Sequence, residues 1–265
     1  MKAEKMRLDV LLAERGLVES RSLAQKLIMA GVVRVAGQVV GEPDRKVGLD
    51  AEISIESGPR FVSRGGEKLE PALVAFHLDG LDGAVCADVG ASTGGFSDCL
   101  LQHGAGKVYA IDVGYGVLHW KMRSDPRVVV MERTNARHLS ALPEPVSLVT
   151  VDASFISLRI LLPVIRGWFG PAGGRVVALI KPQFEAGREE VSKGEGVIHD
   201  PRVHRLVLEE VLGFARECGF GLNGLVKSSL KGPKGNIEFL VHLVWPADPG
   251  AVAEIAIRRL VDGAL

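Results

Sequence analysis

The sequence has few cysteines, no excess of charge of either sign and no long apolar run. Its 265 residues include only Cys86, Cys99 and Cys218, whose odd number and wide spacing argue against a disulfide framework and a cysteine-based metal site. They are typical of buried thiols in a reducing compartment. Basic and acidic residues number 32 each, so the net charge argues against a uniformly basic surface, although not against a local basic patch.

The chain also lacks the segments that direct a protein to a membrane. No apolar run reaches the roughly 18 residues that a spanning helix needs, and residues 1–7 have no apolar secretion-signal core. We therefore expect a cytoplasmic protein with no membrane partner. His119 and His138 have no cysteine or carboxylate at metal-ligand spacing, so we expect no metal.

With 47% hydrophobic and 24% charged residues, the chain is long enough for one large and one small domain. In the N-terminal part, leucines at helical spacing end at Gly16, and Ser20 is a typical N-cap for a second helix. Residues 32–40 predict a hairpin and residues 47–56 a further strand. These elements predict a compact α+β domain.

Basic side chains on the predicted helices and hairpin are candidates for binding RNA phosphates. The alternative is an ordinary solvated surface, because acidic residues such as Asp9 and Glu14 lie among them. The candidates are Arg7, Arg15, Arg21, Lys26 and Arg34.

Apolar runs alternate with helical patterns through the rest of the chain, which predicts an α/β domain with a doubly wound, largely parallel sheet. Ligands bind beyond the carboxyl ends of the strands in such sheets. After the strand that begins at Val85, the predicted strands are residues 107–112, 127–131, 147–151, 175–180, 222–227 and 237–245.

The stretch Val85–Phe96 predicts a strand, a glycine-rich turn and a helix N-terminus. Its G-x-x-x-G-G spacing differs from the dinucleotide pattern and favours S-adenosylmethionine, with Asp112 placed to bind the ribose hydroxyls. Asn135 is a candidate for the adenine edge, or forms a simple Asx turn. The predicted cofactor-binding residues are Asp88, Gly90, Ala91, Ser92, Thr93, Gly94, Gly95, Phe96, Asp112 and Asn135.

Four charged residues are expected to converge at the carboxyl edge of this sheet: Lys68, Asp152, Lys181 and Glu238. Methyl transfer requires alignment of the nucleophile, and a ribose hydroxyl must lose its proton as it attacks. We expect Lys181 to steer and deprotonate the hydroxyl, Asp152 to orient Lys181, and the other two to complete the network. A purely structural ion-pair cluster is the alternative.

Further basic residues lie near the predicted strand ends and are candidates for RNA phosphates, with surface solvation as the alternative. The loop from Gly187 to His199 either closes over the substrate or simply connects two elements. The candidates in this part are Arg64, Arg133, Arg137, Lys231 and Lys234, together with Arg123 and Arg188.

The four charged residues around Asp88-Val-Gly-Ala-Ser-Thr-Gly-Gly-Phe96 resemble those of FtsJ-type 2′-O-ribose methyltransferases. The N-terminal segments Arg7-Leu-Asp-Val-Leu-Leu and Ser20-Arg-Ser-Leu-Ala-Gln-Lys resemble the RNA-binding module named after the fourth small-subunit ribosomal protein. The combination resembles the TlyA, or hemolysin A, family over nearly the whole chain. Further matching segments are Phe61-Val-Ser-Arg-Gly-Gly-Glu-Lys68, Glu132-Arg-Thr-Asn-Ala-Arg137, Ile180-Lys-Pro-Gln-Phe-Glu185 and Gly232-Pro-Lys-Gly-Asn-Ile-Glu238.

The resemblance implies a Rossmann-like methyltransferase that uses S-adenosylmethionine to methylate the 2′-hydroxyl of cytidine in large-subunit and, for some members, small-subunit ribosomal RNA. It implies an RNA-binding domain at 1–57, a linker at 58–63 and a methyltransferase domain at 64–265, with ribosomal RNA or subunits as partners. It also implies that the linker couples RNA engagement to cofactor binding, although Val62 stands where the family has Trp.

Three other functions are alternatives. The family's older name suggests a membrane-active toxin, which the absence of a spanning or interfacial amphipathic segment disfavours. A non-catalytic RNA-binding assembly factor would not need the four charged residues. A small-molecule O-methyltransferase would not need the N-terminal domain.

Overall fold

The computed structural model divides the chain into two compact units, Met1–Arg60 and Phe61–Leu265. This division does not fix the exact first and last residues of the domains and the linker, so those limits stay a prediction. Arg188 and most of the predicted loop 187–199 lie outside the described residues. The structure describes residues 4–56, 59–187, 196–232, 234–247 and 254–265, with only the backbone for 254–256.

The first unit contains two short helices and five short strands around a small apolar core. Leu8, Leu12 and Ile28 are fully buried in this core. Strand β1 pairs with β4, and β2 pairs with both β3 and β5, all antiparallel. The elements are β1 (Lys5–Arg7), α1 (Leu8–Glu14), α2 (Arg21–Met29), β2 (Val33–Val35), β3 (Gln38–Val39), β4 (Lys46–Gly48) and β5 (Ile53–Ile55).

Local sequence signals explain most of this unit. The Ser20 side chain accepts a hydrogen bond from the Leu23 N–H at 3.2 Å and caps α2. The predicted hairpin is present, and its turn, Ala36–Gly37, has φ of +49° and +77°. The single strand predicted for residues 47–56 is wrong, because a turn closed by Ala51 N–H to Gly48 C=O at 3.0 Å separates β4 from β5.

A buried carboxylate connects the start of α1 to α2. The Asp9 side chain is fully buried and accepts hydrogen bonds from Arg7 Nε at 3.0 Å, Arg21 Nε at 2.9 Å and Gln25 Nε2 at 2.8 Å. The Arg7 guanidinium holds the pKa of Asp9 well below its usual range. Two of the predicted RNA-binding arginines are thus fixed side by side while remaining about half exposed.

Replacing Asp9 by Asn should destabilise the first unit by about 1–3 kcal/mol, because the ionised acceptor shared by three donors is lost. Hydrogen exchange of the α1 amides in the full chain measures the effect. Glu19→Gln is the control, since Glu19 is exposed. Equal exchange rates in the two variants would contradict a stabilising role for Asp9.

The second unit is an α/β layer structure. A seven-stranded sheet lies between helices, and short helices follow several strands. Its elements are α3 (Arg64–Ala75), β6 (Val85–Val89), α4 (Gly95–Gln102), β7 (Lys107–Ile111), α5 (Trp120–Arg123), β8 (Val128–Met131), β9 (Leu148–Val151), α6 (Leu158–Ile165), β10 (Gly174–Ile180), α7 (Pro182–Glu185), α8 (Pro201–Glu217), β11 (Gly221–Lys227), β12 (Phe239–Trp245) and α9 (Glu254–Ala264).

The strand order β11-β12-β10-β9-β6-β7-β8 confirms the predicted doubly wound sheet. All neighbouring strands are parallel except at β12, which runs antiparallel to both β10 and β11. The chain winds from β6 towards β8 on one side and from β9 towards β10 on the other. The order therefore reverses between β6 and β9, where ligands bind in sheets of this kind.

Side chains along each strand alternate between two cores, one on each face of the sheet. On β10, Val176 and Ala178 pack with α6 and α8, whereas Val177 and Leu179 pack with α3 and α4. Both faces are buried, which explains why the central strands read as continuous apolar runs rather than as alternating patterns. The polar side chains within these strands, such as Asp88 and Thr150, are buried as well.

Candidate functional site

The loop between β6 and α4 is held against the end of β9. Gly90 has φ of +81°, and a Cβ placed on it would lie 2.7 Å from the Asp152 carbonyl oxygen. Gly94 has φ of +93°, and its Cβ would lie 2.7 Å from Met122 Cγ. Only glycine fits either position without displacing its neighbours. Because neither position carries a side chain, a molecule bound in the adjoining clefts can approach the loop backbone closely.

Asp112, at the end of β7, organises the neighbouring backbone. Its two carboxylate oxygens accept hydrogen bonds from Ser92 N–H at 2.8 Å and Gly114 N–H at 2.7 Å. Asp112 also lines a cleft of about 330 Å³ with Gly90, Ser92, Asn135 and apolar side chains. Each carboxylate oxygen retains further acceptor capacity, which suits a pair of ribose hydroxyls.

A second cleft, of about 210 Å³, lies between the loop and the start of α3. Ser63, Arg64 and Lys68 line it from one side, and residues 90–93 and 95–96 line it from the other. The Ser63 hydroxyl does not cap its own helix and instead lies beside Gly95. This cleft has polar side chains and backbone N–H groups suited to a zwitterionic amino-acid group.

The four charged residues form two ion pairs. Lys181 Nζ lies 2.5 Å from Asp152 Oδ1 and donates to Ser154 Oγ at 3.1 Å, and the lysine is 7% exposed. Lys68 Nζ lies 2.7 Å from Glu238 Oε2, and the glutamate is 1% exposed. All four residues line a third cleft, of about 590 Å³, which is large enough for a nucleotide.

Gly90, Ser92 and Asp152 line all three clefts. The two smaller clefts together offer a site for an amino-acid group and a ribose, and the third brings two lysines and two carboxylates to the same point. The arrangement can therefore hold a cofactor beside an acceptor whose proton must be removed.

Comparison with known proteins decides the family. Residues 61–245 match the model of the FtsJ-like methyltransferases, and residues 6–53 match the S4 domain. The chain belongs to the FtsJ-like methyltransferase family. It is thus an enzyme whose methyl donor is S-adenosylmethionine, and the resemblance deduced from the sequence is confirmed.

Full-length relatives share both units of this methyltransferase. It is 48% identical to YqxC of Bacillus subtilis, named as an rRNA methyltransferase, over 100% of this chain and 95% of the relative. It is 42% identical to the 16S/23S rRNA (cytidine-2′-O)-methyltransferase TlyA of Mycobacterium tuberculosis over 98% of each chain. A solved structure from Streptococcus thermophilus, described as a hemolysin, is 41% identical with a TM-score of 0.70, covering 98% of this chain and 95% of that one.

Some relatives carry the name hemolysin, which suggests contact with a membrane. Within the part of the chain that the structure describes, no helix combines the length and apolarity needed to cross a bilayer. Among the same residues, no three histidine, cysteine or acidic side chains are arranged to hold a metal ion.

Two predicted cofactor residues make contacts within the methyltransferase fold itself. Asp88 is fully buried beneath the loop and accepts from Ser97 Oγ at 2.7 Å and Thr150 Oγ1 at 3.1 Å. Asn135 Oδ1 accepts from Arg137 N–H at 3.2 Å, which is the Asx turn that the sequence left as an alternative, although Asn135 also lines the 330 Å³ cleft. Through its two hydrogen bonds, Asp88 connects β6 to α4 and to β9.

Most of the predicted RNA-binding residues are exposed, and several have partners on the protein. Arg15 donates to backbone carbonyls of Leu49 and Ala51, and Arg34 pairs with Glu56. In the second unit, the Arg133 guanidinium lies 4.1 Å from the centre of the Tyr115 ring, and Arg137 contacts His138. Arg64 and Lys234 line clefts, whereas Lys26 and Lys231 are exposed surface residues.

Several side chains in the clefts were missed by the sequence interpretation. Ser154 and Gln183 each lie two residues after a predicted site residue, Asp152 and Lys181, and this proximity could have indicated them as site residues. Phe155 has φ of +63° and is 90% exposed, with its ring 4.8 Å from that of Phe184. Asn236 holds Gly196 C=O and Ile198 N–H at 2.9 Å each, and no sequence pattern indicates this contact.

Gly90→Ala should weaken binding of S-adenosylmethionine at least about tenfold, because the new methyl group forces the loop away from Asp152. Gly83→Ala is the matched control, since Gly83 also has positive φ but an added Cβ meets nothing within 4 Å. Calorimetric titration with the cofactor measures both variants. Equal affinity of the two would contradict the role given to the close approach at Gly90.

Burial raises the pKa of Asp88 to about 7 in the folded chain, whereas the carboxyl titrates near its ordinary value when unfolded. The stability contributed by the protonated group is therefore fully present below that ordinary value and is lost as the pH rises towards 7. Asp88→Asn should lose less stability between pH 5 and pH 8, measured by thermal unfolding. Asp79→Asn, at an exposed position, should behave like the unaltered chain; the same behaviour from Asp88→Asn would refute this titration.

Proposed function

We propose that this chain methylates the 2′-hydroxyl of cytidine in large-subunit ribosomal RNA, with small-subunit ribosomal RNA as a second candidate substrate. The relatives from Mycobacterium tuberculosis and Campylobacter jejuni carry cytidine-2′-O-methyltransferase names. The S4 domain matched at residues 6–53 supplies the RNA-binding module that such a substrate requires. A protein acting on ribosomal RNA works where ribosomes are made, so we place it in the cytoplasm.

The convergence of the three clefts at Gly90, Ser92 and Asp152 carries this proposal. We assign the cofactor to the two smaller clefts, with the 90–96 loop and Ser63 at the amino-acid end and Asp112 at the ribose. When bound, the cofactor supplies an electrophilic methyl group on a sulfonium. The 590 Å³ cleft is assigned to the target nucleotide, because Lys181 and its partners face that space.

Lys181 is assigned the central chemical role. Its Nζ is fixed by Asp152 and Ser154, so that after it has released one proton to solvent the neutral amine can accept the proton of the ribose hydroxyl as the oxygen attacks. Asp152 orients the lysine. Lys68 and Glu238 line the same cleft and hold each other in place through their own ion pair.

The basic residues of both units are assigned to RNA phosphates. Arg7 and Arg21 present a fixed pair of guanidinium groups with exposed N–H donors, which suits a phosphate oxygen pair. Arg133, Arg137, Lys231 and Lys234 add cations around the second unit. Phosphate contacts of this kind set the register of the RNA but do not read its sequence.

Lys181→Ala should lower methyl transfer at least about hundredfold while leaving RNA binding nearly unchanged, because the residue acts on the hydroxyl proton. Lys181→Arg keeps the cation for Asp152 but cannot release a proton, so it should be equally inactive. The assay uses tritiated S-adenosylmethionine with separated ribosomal subunits. Lys227→Ala, at an exposed strand end, is the control.

Each outcome of this assay has a distinct meaning. Activity in Lys181→Arg would show that the cation alone suffices and would remove the proton-transfer role. RNA binding without methyl transfer by the unaltered chain would favour a non-catalytic assembly factor. Methylation of small phenols or catechols in place of RNA would favour a small-molecule enzyme.

A further inference from the structure

Gln183 presents an unsatisfied acceptor next to the catalytic lysine. It follows Lys181 by two residues and lines the 590 Å³ cleft assigned to the target nucleotide. Its Nε2 points to Glu238 Oε1 at 3.5 Å. Its Oε1 is buried, and no atom within the described ranges of the chain donates a hydrogen bond to it.

The neighbouring ion pair fixes which end of the amide faces Glu238. The glutamate is paired with Lys68 at 2.7 Å, and an ionised carboxylate offers only acceptors. Turning the amide over would place its oxygen against a carboxylate oxygen and would leave the NH2 group without an acceptor. The observed orientation is therefore the favourable one, and the oxygen is directed away from Glu238.

Two of the lysines that line the cleft with Gln183 are held by other acceptors. Lys181 Nζ is bound to Asp152 and Ser154, and Lys68 Nζ is bound to Glu238. A buried acceptor without a partner is costly and is rare in native proteins unless a ligand or water satisfies it. In a cleft shaped for a nucleotide, the natural partner is an N–H group of the base.

Among the pyrimidines of RNA, only cytosine has an exocyclic amino group as donor. Cytosine carries a 4-amino donor at the position where uracil carries a carbonyl acceptor. We propose that Gln183 Oε1 accepts a hydrogen bond from the 4-amino group of the target base and so selects cytidine over uridine. This inference rests on the proposed function and adds the residue that reads the base.

The selection follows from the cost of mismatched polar groups. With uridine, the carbonyl would meet the amide oxygen, and both acceptors would stay unsatisfied in a site shielded from water. Glu238, which is paired with Lys68, contacts the amide at Nε2, so the amide cannot turn over to suit uracil without breaking this contact. Gln183 is thereby a specificity-determining residue rather than a catalytic one.

The test uses two ribosomal RNA fragments that differ only in cytidine or uridine at the position methylated by the unaltered chain. They compete in one reaction, so the ratio of kcat/KM values is measured even when rates are low. We expect the unaltered chain to prefer cytidine by about 10- to 100-fold. Gln183→Leu should reduce the preference to about threefold or less, because it removes the acceptor for the 4-amino group.

Gln102→Leu is the matched control, because Gln102 lies on α4 outside the three clefts and should keep the full preference. A lower rate in Gln183→Leu with an unchanged cytidine-to-uridine ratio would show a structural role and would overturn the inference while the proposed function stands. Absence of any preference in the unaltered chain would overturn it equally. No methylation of RNA by the unaltered chain would overturn both.

Discussion

The close packing of Gly90 against the Asp152 carbonyl is the constraint on which the rest of the site depends. It joins the end of β6 to the end of β9 at the point where the strand order reverses. No side chain separates the two segments, so a group bound on the loop lies directly beside Asp152. The ion pair from Asp152 then fixes Lys181 at the end of the next strand.

The two ion pairs connect different elements of the fold around the cleft. The pair Lys181–Asp152 comes from neighbouring parallel strands, β10 and β9, and its geometry follows from their register. The pair Lys68–Glu238 comes from α3 and the turn before β12, which are 170 residues apart in the chain. Because buried ion pairs cost desolvation, their retention here is better explained by positioning than by stability.

Much of this arrangement could be predicted from the sequence, because apolar runs show where the strands of the sheet end. Asp112, Asp152 and Lys181 each follow an apolar run, and parallel strands bring such residues to one edge. Residues whose contacts depend on side-chain packing were not accessible. That no donor among the described residues reaches Gln183 Oε1 depends on such packing, and the Asx turn of Asn135 was one of two alternatives that the sequence left open.

The wrong prediction of a single strand has a similar physical cause. Residues 47–56 contain Gly48 and Asp50, and Leu49 to Glu52 turn the chain so that β4 and β5 pair with different partners. Sequence composition cannot reveal which partner a short strand takes. Asp88, which the sequence assigns to the cofactor with the rest of its loop, is buried against Ser97 and Thr150, and its role in cofactor binding stays a prediction.

The most direct test of the account is a crystal structure of the chain with S-adenosylhomocysteine. We expect the amino-acid end of the ligand along residues 90–96, its ribose hydroxyls at Asp112 and its sulfur directed towards the cleft that contains Lys181. A ligand bound with its sulfur directed away from Lys181, or bound outside the clefts that meet at Gly90, would contradict the account.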